Sequence, residues 1–202
     1  MSPAAESPGR LVLVRHGETE WSRDGRHTGR TDVPLTADGE RDARLLAPRL
    51  AGFDLTAVLS SPLSRARRTA ELAGLRPAVD DDLVEWDYGG YEGRTTSEIR
   101  TTLGHPGWTV FGDGVVPGDT PGETVEEVAG RASRVLERVA EPLTRGDVAL
   151  VAHGHLLRIL TATYLRQEVR FGAQLLLDAG SLCVLDHERG VPAVRTWNET
   201  AR

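Results

Sequence analysis

The 202-residue chain contains no lysine, and all 24 of its basic residues are arginines. That absence removes two kinds of chemistry. A Walker-type phosphate loop requires its lysine, and a Schiff base requires a lysine amine. It also warns against reading meaning into any one arginine, since arginine is the chain's only permanent cation and most copies are expected on the solvated surface. Cysteine is almost as scarce. Cys183 stands alone, so no intrachain disulfide is available, as expected of a reducing compartment. No apolar run approaches the roughly 20 residues a spanning helix needs, so no membrane partner is expected. The opening "MSPAAESPG" lacks the apolar segment of a secretory signal. It reads as a short disordered tail over residues 1–9, on a protein expected to be cytoplasmic. The net charge of −6 speaks against a general nucleic-acid binder, which would present a basic surface.

What remains is an ordinary globular composition. At 39% hydrophobic, the stretch from 10 to 202 is long enough for one well-filled core, and a single domain is expected. Leu11 to Val14 reads as a buried strand. "PLTADGERDARLLAPRLAGF" carries a helix signal, with Thr36 as N-cap, Asp38 and Glu40 in the first turn and Gly52 past the end. Ala57 to Leu59 suits a strand. Ser61 is then expected to cap a helix with Pro62 at its first position, running to about Gly74. From Asp80 to Gly122 the pattern is irregular and rich in glycine and proline, with a short helix near Ser97 to Leu103; an excursion this long points to function. Val125, Val128, Ala132, Val135, Val139 and Leu143 recur at steps of three and four, the mark of an amphipathic helix. "DVALVAHGH" reads as a strand, "LLRILTATYL" as a helix, and "SLCVLDHE" and "PAVRTWNE" as closing strands. Strands alternating with helices predict a three-layer α/β fold, a mostly parallel central sheet flanked by helices.

Three of these strands end in basic or imidazole groups. The first delivers Arg15-His16-Gly17. The second leads through Ser60-Ser61-Pro62 to Arg65. A later one delivers His153-Gly154-His155. Each alone has an ordinary reading: a satisfied core histidine, a surface arginine, half of a metal site. In open α/β sheets, however, ligands bind beyond the carboxyl ends of the strands. If these strands are neighbours, Arg15, His16, Arg65 and His153 converge on one cationic pocket near helix N-termini, a setting that favours phosphate.

The segments "LVRHGETEW", "LSSPLSRARRTA", "EWDYGGYEG" and "VAHGHLLR" together resemble the signatures of the histidine phosphatase superfamily, the phosphoglycerate mutase-like family. The likeness runs in register from about Leu11 to Arg158. It implies that His16 takes up the phosphoryl group, that Arg15, Arg65 and His153 bind its oxygens, and that Glu85 protonates the leaving oxygen. It further implies substrate contacts from Thr28, Gly29 and Gly154. Ser22 stands where the family commonly has asparagine, so a hydroxyl replaces the usual side-chain amide there. The chemistry implied is hydrolysis of a small phosphomonoester, a small phosphorylated metabolite, with no metal and no organic cofactor. A homodimer is among the compatible assemblies.

The residue types fit that chemistry. Phosphate monoesters resist attack, and positioning with charge stabilisation is most of the work. Two guanidinium groups can bracket the phosphoryl oxygens in fixed geometry. His16 must attack as neutral imidazole, so its other ring nitrogen needs an acceptor, expected to be a backbone carbonyl. An alkoxide leaves poorly without a proton. Glu85, Asp87 and Glu92 are all candidates on residue chemistry alone, and the resemblance selects Glu85, whose burial beside Trp86 or Tyr88 would favour the protonated form. The competing readings are phosphoryl transfer of the phosphoglycerate mutase type, a non-catalytic regulatory protein on the same fold, and metal-dependent hydrolysis through His153 and His155. Mutases typically carry a longer insertion with paired basic residues. Between Arg94 and Gly122 only Arg94 and Arg100 are cationic, which favours hydrolysis.

Overall fold

The computed structural model describes residues 8–200. Of the tail expected over residues 1–9, residues 1–7 lie outside the described residues; the Gly9 amide donates to the Leu143 carbonyl at 2.7 Å. A six-stranded sheet is built from β1 (Leu11–Arg15), β2 (Leu55–Ser60), β3 (Ala78–Val79), β4 (Asp147–Ala152), β5 (Leu182–Glu188) and β6 (Val191–Glu199). Their order is β3-β2-β4-β1-β5-β6. Strands β3, β2, β4 and β1 run parallel, while β5 and β6 pair antiparallel. The mostly parallel sheet is therefore as expected, with an antiparallel hairpin closing one edge. Arg189 and Gly190 form the hairpin turn, both at positive φ (52° and 82°), as the twist of a two-residue turn demands.

The sheet is covered on both faces, and the strand sequences show why. Leu11 and Leu13 of β1, with Val148, Leu150 and Ala152 of β4, enter one core cluster. Val12 and Val14, with Ala149 and Val151, enter the other. Side chains alternate between faces, so a strand buried on both sides must be apolar throughout. Helices α7 (Val125–Leu143) and α8 (Gly154–Tyr164) lie over the first face, and Val125, Val128, Ala132, Val135 and Val139 are buried there. Each such valine stabilises the fold by roughly 1.5–3 kcal/mol relative to exposure. Over the second face lie α2 (Ala37–Leu45), α3 (Ala47–Leu50) and α4 (Ser64–Leu72). The short helices α1 (Glu20–Arg23), α5 (Thr96–Leu103) and α6 (Val110–Asp113) belong to the connections.

Local differences from the sequence expectation have identifiable causes. The helix expected after Thr36 is two helices, because Pro48 lacks the N–H that would continue the ladder and instead sits in the first turn of α3. The helix expected from Pro62 begins at Ser64, with no side-chain cap at Leu63. The Ser61 hydroxyl accepts the Leu63 amide at 3.3 Å ahead of the helix and lies against the ring of His153 at 2.8 Å.

Candidate active site

Strands β2, β4 and β1 are parallel neighbours, so their carboxyl ends share one edge. Arg15 pairs in register with Ala152, and Ser60 with Val151. The three polar tips therefore meet, as the expectation of adjacency required. The first and third tips border a cleft of about 410 Å³, lined by Arg15, His16, Glu85, Gly154 and His155, among others; of the four residues expected to converge there, Arg65 and His153 are fully buried and not part of its lining.

His16 is 4% exposed. Its Nδ1 lies 2.7 Å from the Gly17 carbonyl, the backbone acceptor anticipated without a name. With the proton held there, Nε2 is left with a free lone pair. Gly17 is required at this turn, since a Cβ would lie 2.5 Å from the Gly39 carbonyl oxygen. Burial foremost, then the Arg65 and Arg15 guanidinium groups, hold the His16 imidazole well below its ordinary range. The ring is neutral across physiological pH.

Arg15 donates through Nη1 to the Leu177 carbonyl. Its Nε is the one buried side-chain nitrogen or oxygen among the described residues without a partner. The guanidinium lies against Gly154, where a Cβ would approach Cζ and Nε to 3.3 Å.

Arg65 and His153 are both fully buried and bonded to one another, Nε to Nδ1 at 3.2 Å. Arg65 also donates to the Thr28, Gly29 and Thr31 carbonyls at 3.1, 3.0 and 2.8 Å. It thereby draws the 28–31 loop to the edge of the sheet. The His153 and His16 ring centroids are 5.1 Å apart, edge to face. Burial and the same guanidinium hold His153 well below the imidazole range.

Glu85 is 5% exposed. Its carboxyl accepts the backbone amides of Trp86 (3.0 Å), His155 (3.0 Å) and Leu156 (2.9 Å). The last two belong to the first turn of α8, whose free amides favour an anion. Arg131 holds this segment in place by donating to the Asp82 and Val84 carbonyls at 2.8 and 2.7 Å. The other two carboxylates of the stretch are spent on structure. Asp87 accepts Gly89 N and Thr120 Oγ1, while Glu92 accepts the amides of Gly29 and Thr31. Of the three, Glu85 alone lines the cleft.

The remaining expected residues divide. Ser22 and Thr28 line the cleft. The Ser22 hydroxyl, however, completes a capping box with Thr19, donating to its carbonyl at 3.0 Å and accepting its amide at 2.9 Å, so the hydrogen that stands in for the family's amide is engaged locally. Thr28 Oγ1 donates to the Arg26 carbonyl at 3.1 Å. Gly29 is not on the cleft wall; a Cβ there would lie 2.4 Å from the Trp86 carbonyl oxygen, so its place is one of close packing. Two titratable cleft residues, His27 and Arg158, have no role in the sequence reading, and His155 enters it only as half of a metal site. Arg158 is anchored over Phe111, with Cζ 4.8 Å from the ring centroid, and donates to the Gly172 carbonyl at 2.9 Å. Only the placement of His155 beside Gly154 in the "HGH" tip hinted at any of these.

Residues 11–200 match the model of the histidine phosphatase superfamily (branch 1). A Mycobacterium tuberculosis protein named acid phosphatase is 38% identical over 185 residues, covering 90% of this chain and 88% of that one. An Escherichia coli protein named "Probable phosphoglycerate mutase GpmB" is 32% identical over 193 residues, covering 93% and 89%. The solved structure of a Mycobacterium tuberculosis open reading frame product superposes with a TM-score of 0.89 at 36% identity, covering 96% of this chain and 99% of that one. The chain belongs to the histidine phosphatase superfamily, branch 1, and is a phosphomonoester hydrolase.

Proposed function

We propose that the protein hydrolyses a small phosphomonoester through a phosphohistidine on His16, with Glu85 as general acid and then general base. The observation that carries this reading is the His16 ring: neutral, with Nδ1 tied to Gly17 O and Nε2 left free at the end of β1. The unpartnered Nε of Arg15 beside it is a donor in want of an anion.

In the first step Nε2 attacks phosphorus and the bond to the ester oxygen breaks. The Glu85 carboxyl gives its proton to the departing alkoxide, and the second step restores it. In the second step the Glu85 carboxylate takes a proton from water as its oxygen attacks the phosphohistidine, releasing inorganic phosphate and restoring the free ring. Arg15 and Arg65 offset the phosphoryl charge. His153, edge-on to His16, donates to the same group once its ring exchanges the bond to Ser61. Ser22, Thr28 and Gly154 line the cleft, and Gly29 packs against the Trp86 carbonyl beside Thr28. No cofactor enters either step.

The runner-up, mutase-type transfer, needs a second anion held by paired cations after the "YGGYEG" stretch. Arg94 there donates to Glu98 O and Thr102 Oγ1 and does not line the cleft; Arg100 lines it while its Nε donates to Trp108 O, so the stretch supplies the cleft with one cation and not a pair, which supports hydrolysis. The decisive experiment is acid-free quenching after brief exposure to a 32P-labelled ester. Label is expected on wild-type protein, labile to acid, and absent from His16→Ala. Label retained by His16→Ala, or never found, would overturn the reading. A time course with 3-phosphoglycerate, with and without 2,3-bisphosphoglycerate, is expected to release phosphate faster than it isomerises.

A further inference from the structure

The cleft extends past the phosphate end, and two histidines that the mechanism above does not use form part of its wall. We propose that His27 and His155 are a subsite for the hydroxyl groups of the leaving alcohol, and that the ester cleaved is one of a polyhydroxylated alcohol. This rests on the phosphatase reading of the same cleft and extends it to the other half of the substrate.

His155 follows Gly154 in the first turn of α8. Its Nδ1 lies 2.6 Å from Tyr88 Oη. Burial, then the Glu85 and Glu92 carboxylates, push the Tyr88 phenol well above the ordinary tyrosine range, so Oη keeps its hydrogen. The bond to Oη occupies Nδ1 in either tautomer and leaves Nε2 to other partners. No hydrogen bond joins Nε2 to another protein group among the described residues, yet Nε2 is not sealed, because the single sealed and unpartnered polar side-chain atom is Arg15 Nε. Nε2 therefore opens on the cleft that the ring lines.

His27 arrives from a different segment and repeats the arrangement. Its Nε2 lies 3.3 Å from Thr96 Oγ1, while Nδ1 has no protein partner and is likewise unsealed. The two ring centroids are 6.0 Å apart with a tilt of 33°. Aromatic neighbours hold both in place: Tyr88 at 4.8 Å and Trp108 at 5.8 Å from His27, Phe111 at 5.3 Å and Trp86 at 6.1 Å from His155. Burial pushes His27 down to about 4 and takes His155 well below its ordinary range. Both rings are neutral in use.

A neutral imidazole with one free nitrogen complements a hydroxyl, which can both donate and accept. Two of them, spaced as here and clamped by aromatic rings, suit a chain bearing several hydroxyls more than an alkyl group. The position is also right for the leaving alcohol. The backbone amide of His155 is one of the three that hold Glu85, and both residues line the same cleft.

The test compares kcat/KM for sorbitol 6-phosphate and n-hexyl phosphate, which have the same six carbons and differ in their hydroxyls. At about tenfold for each hydrogen bond of roughly 1.4 kcal/mol, wild type is expected to prefer the polyol ester by on the order of 100-fold. His155→Leu and His27→Leu are each expected to cut that preference about tenfold. Tyr88→Phe is expected to cut it similarly, because Tyr88, itself on the cleft wall, holds the His155 ring through the bond to Nδ1. The preference is a ratio within one preparation, so partial loss of folded protein cancels. A wild type indifferent to the hydroxyls, or variants whose preference stays within twofold of wild type, would overturn the subsite. Turnover of p-nitrophenyl phosphate by wild type reports separately on the phosphatase reading beneath it.

Discussion

The Nε of Arg65 donates to Nδ1 of His153 across 3.2 Å, and this bond dictates what each residue has left to offer. A guanidinium does not give up its protons, so Nδ1 must be the acceptor and the neutral ring carries its proton on Nε2. That proton goes to Ser61 Oγ at 2.8 Å. One contact thus sets the tautomer of a ring 5.1 Å from the ring of His16. It also ties together the ends of β2 and β4 and, through the loop carbonyls on Arg65, residues 28–31.

Such a unit is coupled. Arg65→Ala strips donors from three carbonyls and one ring nitrogen, and is expected to lower unfolding free energy by about 3 kcal/mol or more, since each buried group left bare costs roughly 1–3 kcal/mol. His153→Ala is expected to cost less. The double variant should fall short of the sum by about 0.5–3 kcal/mol. Urea unfolding of the four proteins measures this; strict additivity would show that the bond contributes nothing.

Acid should destabilise the protein early. His16, His27, His153 and His155 are all held below the ordinary imidazole value of 6.5 by burial. Below that pH the unfolded chain takes up protons that the folded one refuses, so stability is full above about 6.5 and is lost as pH falls. For His27 the loss continues to about 4. Each such ring contributes about 1.4 kcal/mol per pH unit within its window. The melting temperature is expected to drop between pH 7.5 and 5, and His27→Gln should flatten that slope by one proton. A melting temperature that rises over the same interval would contradict the assignment of neutral rings. The carboxylates pulled down by arginines, Asp82 and Asp147 among them, lose their contribution only at lower pH.

Glu85→Gln removes the proton donor but leaves one oxygen for the amides of α8. For an alkyl phosphate, whose alkoxide must be protonated as it leaves, kcat is expected to fall by about 10²–10⁴. For p-nitrophenyl phosphate, whose leaving group needs little help, the fall should be much smaller. Equal losses on both esters would deny Glu85 the role of acid.

Gly29→Ala probes the loop that Arg65 holds. A Cβ there would lie 2.4 Å from Trp86 O and 2.7 Å from Glu92 Oε2, and backbone does not yield as a side-chain end does. The substitution is expected to cost on the order of 1–3 kcal/mol and to raise KM as the loop moves. A variant with wild-type stability and KM would show the loop to be more pliant than its packing implies.

Much of the fold was written in patterns that survive without neighbours. Continuous apolar runs at 11–14 and 148–152 marked strands buried on both faces, and the valine spacing from 125 marked α7, because these periods follow from backbone geometry alone. The helix boundaries around Pro48 and Ser61 were less legible: a proline can start or break a turn, and Ser61 answered to a histidine 92 positions away. Glu85, Asp87 and Glu92 are chemically alike on paper; only their partners separate them. His27 and Arg158 carried no local signal strong enough to single them out, and His155 was legible only as part of the "HGH" tip, where it read as half of a metal site.

Sequence by itself determined the strands, their polar tips and the exclusion of lysine chemistry, since each depends on residue type and short-range order. The tertiary structure alone decided which carboxylate faces the cleft, which nitrogen of His16 is free, and that Arg65 is spent on His153 and a loop. Those outcomes depend on groups tens of residues apart competing for the same hydrogen-bond partners, and that competition is resolved only when the sheet order brings them to one edge.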